Sequence, residues 1–361
     1  MTIPTQPKVP PMPSNRAGSV IRSPAQITVS AVDPCSAEWD ALLGAFPDYT
    51  IFHTSAWLAT IQAAYGVRPV CVKAERGGRC VAIWPYLEQR KGPFRIIGSP
   101  LPGWSTAYMG PLIAEDVEVQ ELLGAFLEHR LFKRYAYFAC RTLIHRHDVD
   151  LTPFGFELVR KFETYWTDLS RTEEDLWAAL ESRCRNSIRK AEKTGAEIRL
   201  ESDAGFLEDF WRMSEETFAK SQIQPTYTRE FCQQVWERLT PARHLHALSA
   251  FVDGKRAATL ILPFNSHTMY YWGGATFQEF RNIPVSNLLI WRSILDAKAM
   301  GLKRYDFISS DGGPGRFKKS FGPQAVDLAR HWERSPSRLL KILKDKYSAY
   351  LKRKRHIQAA Q

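Results

Sequence analysis

The feature that most constrains this chain is a duplication. The segment "KAERGGRCVAIWPY" (73–86) returns in pattern as "AFVDGKRAATLILPF" (250–264). Each reads as a strand, a tight turn on Gly77-Gly78 or Asp253-Gly254, a basic residue, and a strand closing on an apolar-Pro-aromatic triplet. Turn residues that tolerate positive φ mark β-hairpins. "AYMG" (107–110) is then answered by "YYWGG" (270–274), and "FLEHRLFKRYAYF" (126–138) by "ILDAKAMGLKRYDF" (294–307). Matches in the same order predict two related halves that mix helices with a hairpin-containing sheet.

At 361 residues the chain is long enough for two such halves. We expect a Pro-rich, polar leader at 1–26, a first domain at 27–168, linking helices at 169–195, a second domain at 196–335 and a basic tail at 336–361. "TEED" opens the linking region, with Thr172 as cap and Asp175 three residues on, and Gly195 closes it before a strand at 196–200. "IPVSNLLIWRSILDAKAMG" (283–301) repeats its apolar residues at near-helical spacing, with Ser286 and Asn287 as caps or early-turn residues and Gly301 as the stop.

Charge and cysteine usage narrow the class. The net charge is +11, and the tail concentrates it, with eight Lys/Arg against Asp345. A basic balance suits an anionic partner: phosphate, RNA or an acidic membrane surface. The six cysteines have no CxxC spacing and form no cluster with the nine histidines, so they read as reduced thiols of a cytoplasmic protein. The leader has no apolar core of a secretory signal, and no apolar run nears the roughly 20 residues that span a bilayer. The tail's apolar residues recur at helical spacing, which suits either packing on the second domain or peripheral contact with the inner face of a membrane.

Two stretches carry candidate chemistry. "DFISSDGGPGRFKKSFG" (306–322) runs from a strand end through a glycine-rich loop to Arg316, Lys318 and Lys319 among aromatics. "SRCRNSIRKAEKTG" (182–195) places Arg185 and Arg189 four apart, on one helical face. Both read either as solvated basic surface or as cations facing a bound anion; the planar fork of Arg suits phosphate. Tyr270, Tyr271 and Trp272 fit a groove or a core. No GxSxG nucleophile turn appears, and His145, His147, His244, His246 and His267 read as structural or exposed.

Taken together, "RCRNSIRKAEKTG", "PVSNLLIWRSILDAKAMGLKRYDF" and "GGPGRFKKSFG" resemble the FemAB/FemX-like branch of the Gcn5-related N-acyltransferase (GNAT) fold, over roughly residues 30–335. The resemblance implies an α/β protein of two tandem GNAT-like domains, each a mixed sheet flanked by helices. It implies transfer of an activated acyl or aminoacyl group to an amine of a cell-envelope, peptidoglycan or polysaccharide precursor. The best-known members take the group from aminoacyl-tRNA. Lys318 matches the family's lysine near the reacting acyl group, Phe321 and Gly322 the motif's end, and Asp306 an acidic residue at the preceding strand end. The expected catalytic residues are thus Lys318 and Asp306. The expected substrate contacts are Arg185, Asn186, Arg189, Arg316, Phe317, Lys319, Trp272 and Asn287. Replacing Lys318 should cost activity and spare folding.

"FRNIPVSNLL" (280–289) departs from CoA-dependent enzymes of this fold, because it lacks the glycine turn whose N–H groups hold pyrophosphate, and Pro284 removes a donor. No permanently bound cofactor or metal is expected, and the donor stays open between aminoacyl-tRNA and acyl-CoA or an acyl carrier. The expected partners are a nucleotide- or lipid-linked anionic precursor, tRNA, and a membrane surface met by the tail. A catalytically silent member that binds RNA or membrane is the alternative of another class.

Overall fold

The computed structural model describes residues 26–103, 105–143, 149–221, 227–310, 312–342 and 346. The leader, His145, His147 and most of the basic tail lie outside them.

The first half opens with β1 (Ile27–Val32), α1 (Ala37–Leu43) and α2 (Ser55–Tyr65). Ser36 and Thr54 cap the two helices by accepting from Trp39 N and Trp57 N. The hairpin β2 (Arg68–Arg76) and β3 (Arg79–Lys91) turns on Gly77 and Gly78, at φ 59° and 80°. Then come β4 (Phe94–Ser99), β5 (Leu112–Ile113), α3 (Val119–Glu128), β6 (Tyr137–Leu143) and β7 (Glu157–Asp168).

The linking region is two helices, α4 (Glu173–Ala179) and α5 (Ser182–Lys193), with Thr172 capping the first as expected. The second half begins with β8 (Glu197–Leu200), α6 (Phe206–Ser221) and α7 (Arg229–Leu239). Its hairpin, β9 (Leu245–Val252) and β10 (Lys255–Pro263), turns on Asp253 and Gly254, at φ 49° and 74°. Both two-residue turns therefore have the paired positive φ values that match the twist of a hairpin. The chain continues through β11 (Thr268–Tyr270), β12 (Gly273–Thr276), α8 (Val285–Ala299), β13 (Arg304–Asp306), α9 (Gly312–Lys319) and β14 (Gln324–Arg334).

Two sheets organise these strands. A ten-stranded mixed sheet runs β1-β2-β3-β4-β6-β14-β7-β13-β11, with β5 attached to β3. A four-stranded sheet runs β12-β10-β9-β8. The large sheet crosses the boundary expected between the halves: β14, near the C-terminus, inserts between β6 and β7, and β13 pairs with β7. Trp332 of β14 is accordingly buried in the first half's core with Trp84, Phe126 and Phe138. A second core joins the halves where α2 packs on α7, through Trp57 and Phe231. A third lies between the small sheet and helices α5 and α8, around Ile188, Leu260 and Leu289. Large buried aromatics in all three supply much of the apolar burial that holds the halves together.

Two local expectations change. The glycine-rich stretch before Arg316 is not a loop, since Gly312 starts α9 and Pro314 sits in its first turn, where a missing N–H costs little. Gly315 is required there because a Cβ would overlap Ser310 O. Ser286 and Asn287 lie in the first turn of α8, but the cap position belongs to Pro284.

Candidate active site

The strand read from "YYWGG" divides between the sheets. β11 pairs in parallel with β13, and Tyr271 N donates to Asp306 O at 2.8 Å. Two residues later Gly273 faces Ile261, and β12 runs antiparallel to β10 in the small sheet. The chain thus leaves one sheet for the other at Tyr271-Trp272. A cavity of about 380 Å³ lies beside this crossing on the side of the small sheet, lined by Ala258 and Leu260 from β10, Gly274, Ala275 and Thr276 from β12, Tyr271 at the crossing, Asn287 and Leu289 from α8, and Phe317 from α9. Its mouth is lined by Thr217, Arg281, Ile283, Pro284 and Ser286. Ser286 Oγ and Thr276 Oγ1 are hydrogen-bonded at 2.7 Å, which ties α8 to β12 beside the opening.

Phe317 and Asn287 therefore stand at the cavity, and Asn287 Nδ2 also donates to Cys184 Sγ at 3.5 Å. Arg316 and Lys319 are exposed on the same short helix as Phe317. Lys318 points the other way. It is only 9% exposed, its Nζ donates to Phe307 O at 2.7 Å and Ser309 O at 3.2 Å, and it lies 5.4 Å from the centre of the Tyr271 ring. Tyr271 stands between this cation and the cavity, and burial pushes its phenol up to about 12. Its hydroxyl is a neutral hydrogen-bonding group at physiological pH.

Asp306 is sealed behind the same loop. Its Oδ1 accepts from Thr164 Oγ1 at 2.7 Å and from Ile308 N at 2.6 Å. Burial raises its pKa against these two bonds. The carboxyl does not line the cavity, so the geometry is that of an anchor for the chain after β13, not of a base facing an amine.

Four expected contacts are placed elsewhere. Arg185 and Arg189 do not form a joint anion-binding row. Arg185 folds back onto the end of α4, where it donates to Trp177 O, Ala178 O and Leu180 O, carbonyls at the end of the helix, the first of which also accepts from Leu180 N. Arg189 is exposed and lies over the Trp177 ring at 5.4 Å. Asn186 is exposed on α5 and does not line the cavity. Trp272 belongs to the core between the halves, packed against Trp57, Tyr227 and Phe231, with its Nε1 donating to Ser105 O at 2.8 Å. The cation of α5 that does approach the mouth is Lys190, whose Nζ donates to Asn282 O at 3.5 Å. Arg281 was not singled out from the sequence, because its loop carries no motif.

Among the described residues no histidine lines the cavity, and no His, Cys, Asp and Glu group could hold a metal ion. His246 instead pairs with Asp296 at 3.0 Å. The arrangement offers apolar walls, hydroxyl and amide groups, and nearby cations. Such a site suits a substrate that is already activated, which needs alignment and charge stabilisation more than a protein nucleophile.

Residues 179–319 match the family model described as an acetyltransferase (GNAT) domain. The crystal structure of FemX is similar over 88% of this chain and 99% of its own, at 14% identity and a TM-score of 0.73. A tandem GNAT protein from the clavulanic acid biosynthesis pathway matches 86% of this chain and all of its own, at 10% identity and TM-score 0.50. The C-terminal domain of a putative lysylphosphatidylglycerol synthetase from Agrobacterium fabrum matches 74% of this chain and 85% of its own, at 12% identity and TM-score 0.50. No curated protein matches the chain by sequence at a significant level. The chain has the FemX-like GNAT fold, and the part of it that matches the acetyltransferase (GNAT) family model runs from the end of α4 through α9.

Proposed function

We propose that the protein transfers an acyl or aminoacyl group to an amine of an anionic cell-envelope or polysaccharide precursor, with the reacting acyl group in the cavity where β11 and β12 part. The observation that carries this reading is the cavity itself: it lies beside the point at which the chain crosses from one sheet to the other, inside the segment that matches the acetyltransferase (GNAT) family model. Apolar walls from Ala258, Leu260 and Phe317 suit an acyl chain, and the hydroxyl of Tyr271 and the amide of Asn287 suit its polar end. Lys318, behind Tyr271, supplies positive potential as charge builds on the carbonyl oxygen of the tetrahedral intermediate. Arg281 lines the cavity, Lys190 donates to the adjoining Asn282 O, and Arg316 and Lys319 are exposed on the helix that supplies Phe317, a basic balance that favours an anionic substrate. An envelope precursor is supported by the likeness to FemX and to the lysylphosphatidylglycerol synthetase domain.

The donor divides the reading in two. Pro284 and the lack of glycines before α8 favour an aminoacyl-tRNA or an acyl carrier, while the acetyltransferase family model favours acyl-CoA. The full chain, incubated with each donor class and with amine-bearing nucleotide- and lipid-linked precursors, should give one covalent mass increment on the acceptor amine. No increment with any donor class, from protein shown to be folded, would sink the proposal in favour of a silent binding protein.

A further inference from the structure

The segment between β13 and α9 holds a backbone conformation that its sequence does not favour. Ile308 has φ 68°, and a β-branched side chain is seldom found in that left-handed region. Strained residues of this kind persist where their surroundings over-determine them, often beside functional groups. Here the surroundings can be named. Ile308 N is held by Asp306 Oδ1, and Ile308 O accepts from the Tyr108 hydroxyl at 2.9 Å. The carbonyls on either side, Phe307 O and Ser309 O, are the two that grip Lys318 Nζ.

Tyr108 comes from the first half of the chain, 200 residues away from Ile308, and is 3% exposed. Burial holds its phenol well above the ordinary range, so it stays a donor. The residues just before it, 105–107, are fixed from several sides. Arg141 donates to Thr106 O and Ala107 O at 3.1 and 3.2 Å, Trp57 Nε1 to Thr106 Oγ1 at 3.0 Å, and Trp272 Nε1 to Ser105 O. The first half thus reaches into the second and fixes the middle carbonyl of a three-residue cradle. We propose that Tyr108 is a positioning residue for Lys318: its hydroxyl holds Ile308 in the strained form that presents both neighbouring carbonyls to the lysine. The inference rests on the acyl-transfer reading only for its consequence in catalysis, not for the coupling itself.

The test reads Lys318 directly. An N-hydroxysuccinimide acetate reagent acylates accessible amines, and fragment mass spectrometry separates Lys318 from its exposed neighbour Lys319 on the same helix. Tyr108→Phe should raise the labelling rate of Lys318 several-fold relative to Lys319. Tyr49→Phe removes a comparable bond between the halves, Tyr49 Oη to Ser266 Oγ at 2.8 Å, and should leave Lys318 unchanged. Asn tolerates positive φ, so adding Ile308→Asn to the Tyr108 variant should bring labelling back toward the wild-type rate. Unchanged labelling in Tyr108→Phe, or an equal rise in Tyr49→Phe, overturns the proposal. With a working donor and acceptor, Tyr108→Phe should also lower kcat about tenfold with KM unchanged. Raised labelling with full turnover would uphold the coupling and refute the catalytic role of Lys318.

Discussion

Lys318→Met keeps most of the side chain's length and removes its charge, and the structure assigns it two separable costs. The first is stability. Phe307 O and Ser309 O lose their shared donor at a position only 9% exposed. Phe307 O keeps Ser309 N as a partner at 2.8 Å, so the cost is that of losing a charged donor shared by two carbonyls, about 1–3 kcal/mol, of which methionine's apolar stem returns part. This corrects the expectation that the substitution would spare folding. The second cost is catalytic. A unit charge several ångströms from a developing oxyanion, at an effective dielectric near 20, contributes about 2 kcal/mol, or roughly 30-fold in rate. Thermal unfolding reads the first cost; turnover measured well below the variant's melting temperature reads the second. A melting temperature equal to wild type would refute the carbonyl grip. Undiminished turnover in folded protein would remove Lys318 from the chemistry.

Other perturbations separate the parts of the account. Arg185→Ala should lower stability by about 1–2 kcal/mol, through the carbonyls it caps, and leave the Michaelis constant for an anionic substrate unchanged; a raised constant with unchanged melting would return it to the substrate. Ala258→Leu should fill part of the cavity and discriminate against longer acyl groups, visible as a shifted donor preference. Burial lowers the pKa of His53 to about 4, with Thr50 N donating to its Nδ1 and its Nε2 on Gly110 O. The neutral ring's contribution is therefore complete above pH 6.5 and lost as pH falls toward 4, by up to about 3 kcal/mol, so unfolding of His53→Gln should depend less on pH across that window. Asp306 has the opposite sign: its raised pKa favours the protonated form, so its contribution is full below the ordinary carboxylate range and falls as pH rises through the folded value. Asp306→Asn should gain stability relative to wild type as pH rises from acid, and a constant difference in melting temperature would contradict the buried carboxyl.

What the sequence made legible was local. Both hairpins, the helix ending at Gly301 and the cap at Thr172 depend on residues close in the chain, and their chemistry is written there. The division of 268–276 between two sheets depends on partners in β10 and β13, which no neighbouring residue announces. The same holds for β14, whose place between β6 and β7 is fixed by pairing across more than 150 residues. Gly315 reads as a loop residue in a glycine-rich stretch, yet a Cβ there would overlap Ser310 O, and a Cβ at Gly322 would overlap Ala179 O, a carbonyl far away in the chain. At the site, Phe317 and Asn287 could be found from their motifs. Arg185 was misread because helical spacing shows which face a side chain leaves from and not where a long side chain folds back. Tyr108 carried no signal, since its role comes from a contact with the other half.

The central claim is that the acyl group reacts where β11 and β12 part, and a crystal structure with an unreactive acyl-donor analogue tests it most directly. The account predicts the acyl chain against Ala258, Leu260 and Phe317, its carbonyl beside Tyr271, and Lys318 still held by Phe307 O and Ser309 O. An analogue bound with its acyl group outside this cavity would contradict the account.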